Sequence, residues 1–184
     1  PTPTIIDGSE HFNTVLYVGD YTTSNSITGV GFSPDFVWIK DRGLTTVYNY
    51  SHALFDTVRG AGKWLSSNRT DAENDFGTGT TSPFRSFDAD GFTVGQNYNT
   101  NEVDPVADYF VSWNWKAGGT AVSNTSGSIT SQVSANQDAG FSVVGYTSNA
   151  SGQDTVGHGL NSTPEMIITK SRDGSSFNWS VFHA

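Results

Sequence analysis

An antiparallel all-β sandwich, of jelly-roll or lectin-like architecture and with an internal repeat, is the fold to which three features of this sequence point. Ser and Thr make up about a quarter of the 184 residues and Gly contributes 20, so turn formers recur along the whole chain. Apolar runs are short and bounded by those turn formers, while the spacing of an amphipathic helix is nearly absent. The third feature is an ordered group of motifs that occurs twice.

Residues 1–10, PTPTIIDGSE, read as an N-terminal arm. They lack the basic segment and apolar run of a secretory leader, and no later stretch is apolar for long enough to span a bilayer as a helix. FNTVLYV (Phe12 to Val18) reads as the first strand. Gly29 permits a turn and Pro34 fixes φ and withholds a ladder donor, so a second strand follows at DFVWIKD, Asp35 to Asp41. TDAENDF (Thr70 to Phe76) is the one segment with the character of a helical turn. FRSFD (Phe84 to Asp88) and GFTVG (Gly91 to Gly95) read as strands on either side of a turn, and DYFVSWNW (Asp108 to Trp115) as a longer strand. Further strands are expected at Ser126 to Val133, Gly140 to Thr147, Glu165 to Lys170 and Phe177 to His183.

The repeat relates the two ends of the chain. Phe12, Val15 and Tyr17 fall on Phe141, Val144 and Tyr146 at an offset of 129. At an offset of 130, Gly29, Pro34, Lys40 and Arg42 of GVGFSPDFVWIKDR fall on Gly159, Pro164, Lys170 and Arg172 of GLNSTPEMIITKSR. Asp35 becomes Glu165, Trp38 becomes Ile168, and YNYS (Tyr48 to Ser51) lies over FNWS (Phe177 to Ser180). The domain reading is therefore a first β unit at 11–119, a Gly/Ser/Thr-rich connector at 120–139, and the opening strands of a second, similar unit at 140–184. Lys40 and Arg42, and their counterparts, have no packing role in sequence, so a salt bridge that anchors each unit is expected there.

The formal net charge of -9 repels a phosphate backbone, and the nine Lys and Arg are not clustered, so no nucleic-acid partner is expected. The absence of Cys removes disulfides, thiolate metal sites and a Cys nucleophile together. The four His are scattered without metal-ligand spacing, and no cofactor motif is present.

Asp88 and Asp90 in FDADG are the candidate metal ligands, against which a hairpin turn explains the same letters and is preferred. Glu102, Asp104 and Asp108 raise paired-carboxylate glycoside hydrolysis, but Pro105 interrupts the strand and a third carboxylate is missing from the alternation. No enzyme activity is expected. Trp113 and Trp115 share one strand face opposite Ser112, Asn114 and Lys116, which assigns the two rings to the core. Trp38 and the alternating Tyr48 and Tyr50 read as packing residues in the same way. Trp64, in GAGKWLSS, and Tyr98 remain as the candidate ligand-binding aromatics.

Six segments in order resemble an uncharacterised β-rich domain family of marine bacteriophage virion proteins: HFNTVLYVGD, SITGVGFSPDFVWIKDR, HALFDTVRGAGKWLSSN, SFDADGFTVG, WNWKAGG and GSITSQVSANQDAGFSVVGYT. The resemblance covers nearly the whole chain from His11. It implies a tail-fibre or structural protein with a lectin-like sandwich, and it brings no residue-level active site. Similar proteins continue past SVFHA, so the second unit reads as an incomplete copy. The expectation is a tail-fibre adhesion module that binds host surface glycans or proteins, is assembled in the host cytoplasm and acts in the virion outside the cell. Its expected partners are further copies of itself, as in a trimer, and other virion proteins. A capsid decoration or tail-tube protein without a receptor, and a polysaccharide-degrading enzyme, are the alternatives.

Overall fold

The computed structural model describes residues 5, 7–43, 50–104, 106–107, 109–149, 152–174 and 176–184. These hold sixteen strands in chain order: β1 (Phe12–Val18), β2 (Asn25–Thr28), β3 (Phe36–Asp41), β4 (Ala53–Asp56), β5 (Lys63–Trp64), β6 (Asn74–Asp75), β7 (Ser86–Asp88) and β8 (Gly91–Val94). Then come β9 (Val103–Asp104), β10 (Val106–Ala107), β11 (Tyr109–Trp115), β12 (Val122–Asn124), β13 (Ser131–Asn136), β14 (Phe141–Tyr146), β15 (Met166–Thr169) and β16 (Ser180–His183). The only helical element among the described residues is a 3-10 turn at Gly8–Glu10, so the fold is all-β. Thr70 to Phe76 is not a helical turn: within it β6 pairs with β5.

A four-stranded antiparallel sheet in the order β1-β11-β3-β4 and a three-stranded sheet in the order β2-β8-β7 enclose the main core. Tyr17, Val37, Ile39, Phe55 and Phe110 contribute from the first sheet, and Ile27, Phe92 and Val94 from the second, with Phe84 between them. Phe55, Phe84 and Phe92 stack in series at 4.6 and 5.4 Å between centroids. Each such buried ring contributes about 1.5–3 kcal/mol from its removal from water. This is the sandwich expected of the alternating pattern.

One face is inverted relative to expectation. On β11, Phe110, Ser112 and Asn114 point inward at 0% exposure, whereas Trp113 and Trp115 lie half-buried on the outer face. The reason is register: Ser112 faces Ile39 and Val15 across the ladders, and Asn114 faces Val37 and Asn13. Asn114 donates Nδ2 to the Asn13 carbonyl at 3.1 Å and to Ser112 Oγ at 3.0 Å, while its buried Oδ1 has no partner among the described residues. The outer rings pack on one another, with Trp38 against Trp113 at 6.0 Å and Phe36 against Trp115 at 5.2 Å. Trp38 is thus an outer-face residue and not a core one.

The segment 120–139 carries β12 and β13, which form a three-stranded sheet with β14. It is tied to the first sheet through loop 117–119, which Asp35 holds from one side and Ser134 from the other. The buried Asp35 carboxylate accepts the amides of Ala117 at 2.8 Å and Gly119 at 3.2 Å, and Ser134 Oγ accepts from Gly118 N at 2.9 Å. Phe141 of β14 completes the contact against Trp115, 6.0 Å away.

Strands β15 and β16 pair only with each other among the described residues. Their base is held by the loop before β6. Arg172 pairs with Glu73 at 3.4 Å, Trp179 Nε1 donates to the Ser66 carbonyl at 2.8 Å, and Lys170 Nζ reaches the Thr70 carbonyl at 3.4 Å. Of the four basic positions only Arg172 enters an ion pair among the described residues, so the salt bridge expected to anchor each unit is not found at Lys40 and Arg42. Lys40 donates instead to the carbonyl of Asp41 at 2.8 Å. Tyr48 and Asn49, in the first aromatic segment of the repeat, lie outside the described residues.

Candidate functional site: a tyrosine platform

Loop 96–102 lies at the end of the sandwich and is fixed from several sides. Asn97 O accepts the amides of Thr100 at 3.3 Å and Asn101 at 2.8 Å, which winds the loop into a tight turn. Thr100 is buried, donating Oγ1 to the Pro83 carbonyl at 2.8 Å and accepting from the Tyr17 hydroxyl at 2.8 Å. Asn99 Oδ1 takes the Ser51 amide at 3.2 Å. Tyr98 stands on this scaffold with 53% of its surface exposed.

Loop 19–25 is bound to the same scaffold by Asn101, a fully buried residue that uses both ends of its amide. Its Nδ2 donates to Asp20 Oδ1 at 3.0 Å and to the Thr22 carbonyl at 3.1 Å, while its Oδ1 accepts from Asp20 N at 3.0 Å and Asn25 Nδ2 at 2.9 Å. Asp20 Oδ1 also takes the Thr22 amide at 2.9 Å and hydroxyl at 2.8 Å, closing a turn around Tyr21. Inside that turn Tyr21 adopts φ 51°, a left-handed conformation that a bulky side chain holds only when its surroundings impose it. Such locally constrained residues cluster at sites of function.

The result is a stack. Tyr98 lies between Tyr21, at 5.3 Å and 27°, and Tyr50, at 6.3 Å and 6°. A side-chain hydrogen bond with Tyr98 is the main cause that pushes the Tyr21 phenol up to about 12, with the nearby Glu102 charge adding to it. The Tyr21 phenol therefore remains neutral through the physiological range. Partial burial raises the Asp20 carboxyl, but the bonds from Thr22 and Asn101 outweigh it and hold the group below its ordinary value. A flat, partly exposed aromatic face edged by hydroxyls is suited to the C–H face and hydroxyls of a saccharide ring.

Of the candidate site residues named from sequence, only Tyr98 belongs to this platform. Trp64 packs against the main core and donates Nε1 to the His52 carbonyl at 3.1 Å, so its ring is a structural one. Asp90 commits one carboxylate oxygen to the Gly31 amide at 2.6 Å and the other to the Gly29 amide at 3.1 Å. Asp88 accepts from Thr93 Oγ1 at 2.7 Å. Both carboxylates hold turns and strands in place. Among the described residues, no three His, Asp or Glu side chains lie together as a metal site. Glu102 is buried at 5% exposure, and the side chain of Asp104 and all of Asp108 lie outside the described residues. Sequence reading missed Tyr21, took Tyr50 for packing, and had no signal for Asn101 beyond the Asn-rich run that contains it.

A concavity of about 300 Å³ is lined by Val58, Arg59, Gln132, Tyr146 and Arg172. Arg59 is buried and pairs with Asp56 at 2.5 Å and Glu73 at 3.2 Å, while Arg172 pairs with the other Glu73 oxygen. The two cations there are matched by two carboxylates, Asp56 and Glu73, which leaves a structural ion-pair network and no net charge for a ligand.

No curated protein and no solved structure matches the chain. A family model does, over residues 7–184. The chain therefore belongs to the family described as a domain of unknown function, DUF7483.

Proposed function

We propose that the chain is a non-catalytic binding module, a virion adhesion unit of bacteriophage tail-fibre type that engages host surface glycans on the Tyr21–Tyr98–Tyr50 platform. The observation that carries this reading is the stack itself, with Tyr98 exposed on a loop whose backbone is locked by buried Asn101 and Thr100. A preorganised aromatic surface loses little conformational entropy on binding, which is what a weak, multivalent contact requires. The virion setting is supported by the ordered motifs described above, and by an acidic chain without Cys that needs no disulfide outside the cell.

A glycan array followed by calorimetry on the best binders tests the reading. Tyr98→Ala is expected to weaken binding about tenfold, and Tyr98→Phe to retain most of it, because ring stacking contributes about 0.5–1.5 kcal/mol beyond area burial. Binding unaffected by Tyr98→Ala, or absent across the array, overturns it. Release of product from a polysaccharide, lost in Glu102→Gln or Asp104→Asn, would establish the enzyme reading instead. A purely structural role without a receptor is the second reading, and the exposed β15–β16 ladder favours it. Many copies over the particle head would support that role, whereas copies confined to the tail tip support adhesion.

A further inference from the structure

The charges set beside the tyrosine stack are mostly negative. Asp20 is exposed, and its Oδ1 takes the Thr22 amide, the Thr22 hydroxyl and Asn101 Nδ2. Its Oδ2 accepts from no other residue among the described residues, so one oxygen of an exposed carboxylate is left over. The bonds that hold this carboxyl below its ordinary value keep it ionised at neutral pH. Glu102 is packed against the same loop, its carbonyl lying where a Cβ at Gly19 would have to stand, and its charge reaches the Tyr21 phenol. The cation bonded to this region is Arg85, which is half-buried and donates Nη1 to the Thr23 carbonyl at 2.8 Å and Nε to the Thr78 carbonyl at 3.3 Å. One committed positive charge thus stands against two negative ones.

Two properties of the platform act on a ligand in the same direction. An aromatic face carries a negative quadrupole, which attracts a cation and repels an anion. A fixed carboxylate at its edge does the same over a longer range. Its place is set in advance, since Asn101 holds Asp20 through both ends of its amide. An ammonium brings donors alone and so matches an acceptor-only oxygen, whereas a carboxylate or sulfate brings acceptors alone.

We infer that the platform selects its saccharide by charge: it takes sugars that carry a free ammonium group, with Asp20 Oδ2 accepting from the ammonium beside the Tyr21–Tyr98 rings, and it refuses sugars that carry carboxylate or sulfate. The inference rests on the binding reading proposed above and names the class of glycan that the same site prefers. Neutral sugars lie between the two, because they gain the ring contact without the attraction or the repulsion.

Calorimetry on the full chain with one glucosamine oligosaccharide in three forms tests it: with free amines, N-acetylated, and N-succinylated, at a mildly acidic pH that keeps the amines protonated. The free-amine form is expected to bind about fivefold tighter than the N-acetylated form, and the N-succinylated form about fivefold weaker. Both differences should narrow as salt is added, a measurement that needs no variant. In Asp20→Asn the free-amine and N-acetylated forms are expected to bind alike, while the new amide oxygen can still take the Thr22 and Asn101 bonds that close the turn. Tyr98→Ala should weaken all three. Equal affinities, tightest binding by the N-succinylated form, or a preference indifferent to salt or to Asp20→Asn overturns the inference, and with Tyr98→Ala still weakening binding it leaves the platform reading standing. A free-amine form that does not bind also overturns it, and the platform reading is then decided by how the binders found on the glycan array respond to Tyr98→Ala.

Discussion

Two strand pairs in this molecule carry related sequences in different surroundings. In β3–β4, Phe36 faces Asp56 and Val37 faces Phe55; in β15–β16, Met166 faces His183 and Ile167 faces Phe182. Each pair is preceded by a left-handed glycine, Gly29 at φ 87° and Gly159 at φ 74°. Yet all four residues of β4 are buried, and all four of β16 are exposed. The difference lies in what has been laid on each pair. The first has β11 on its edge and the β2-β8-β7 sheet on its face, whereas among the described residues the second is held by loop contacts at its base. Strand formation and strand burial are thus separate events, and the second depends on partners remote in sequence.

The largest effect expected from this contrast is at the facing aromatic residues. Phe55→Ala removes a ring at 0% exposure and is expected to cost about 3–5 kcal/mol in chemical denaturation, whereas Phe182→Ala should change monomer stability by no more than about 0.5 kcal/mol. Equal losses at the two positions would break the comparison. Next come the acidic residues that begin each pair. Asp35→Ala strands the buried Ala117 amide, the part-buried Gly119 amide and the Thr57 hydroxyl, for an expected loss of about 2–3 kcal/mol, while Glu165→Ala leaves no buried group unsatisfied and should be near neutral in the monomer.

The smallest effect is one of pH. Trp38 Nε1 donates to His52 Nδ1 at 2.7 Å, which requires that nitrogen to be unprotonated. Burial, and then the Lys40 charge, lower the His52 pKa from its ordinary 6.5. The unfolded chain therefore takes up the proton first, so the contribution of this contact to stability is present above that value and declines as pH falls. Trp38 fluorescence should change with a midpoint below 6.5, and the transition should vanish in His52→Gln. Ile168 occupies the corresponding place in the second pair, which has no such transition to show.

Much of the strand framework was readable because apolar alternation is a local signal. β1, β3, β11, β14 and β15 lie within a residue of their expected bounds, since each combines β-branched or aromatic residues with flanking turn formers. β2, in NSIT, is too polar and short to announce itself. β4, in ALFD, has both faces covered and so lacks alternation. The inward face of β11 was misjudged for another reason. Trp is more apolar than Ser or Asn, but the sheet register places Phe110 inside and carries Ser112 and Asn114 with it. At the platform, Tyr98 was visible as an aromatic in an Asn-rich loop, whereas Tyr21 meets it only because buried Asn101 joins two loops distant in sequence.

By itself, the sequence determined the β character of the chain, its acidic and thiol-free chemistry, glycines that permit turns at positions 29 and 159, and the recurrence of a Gly, Pro, acidic, apolar and basic order. The tertiary structure alone decided which occurrence is buried, which way β11 faces, and which tyrosines stack. The physical reason is range. Strand propensity and turn geometry are set by residues within a few positions, whereas burial and side-chain convergence require a covering surface that arrives from elsewhere in the chain.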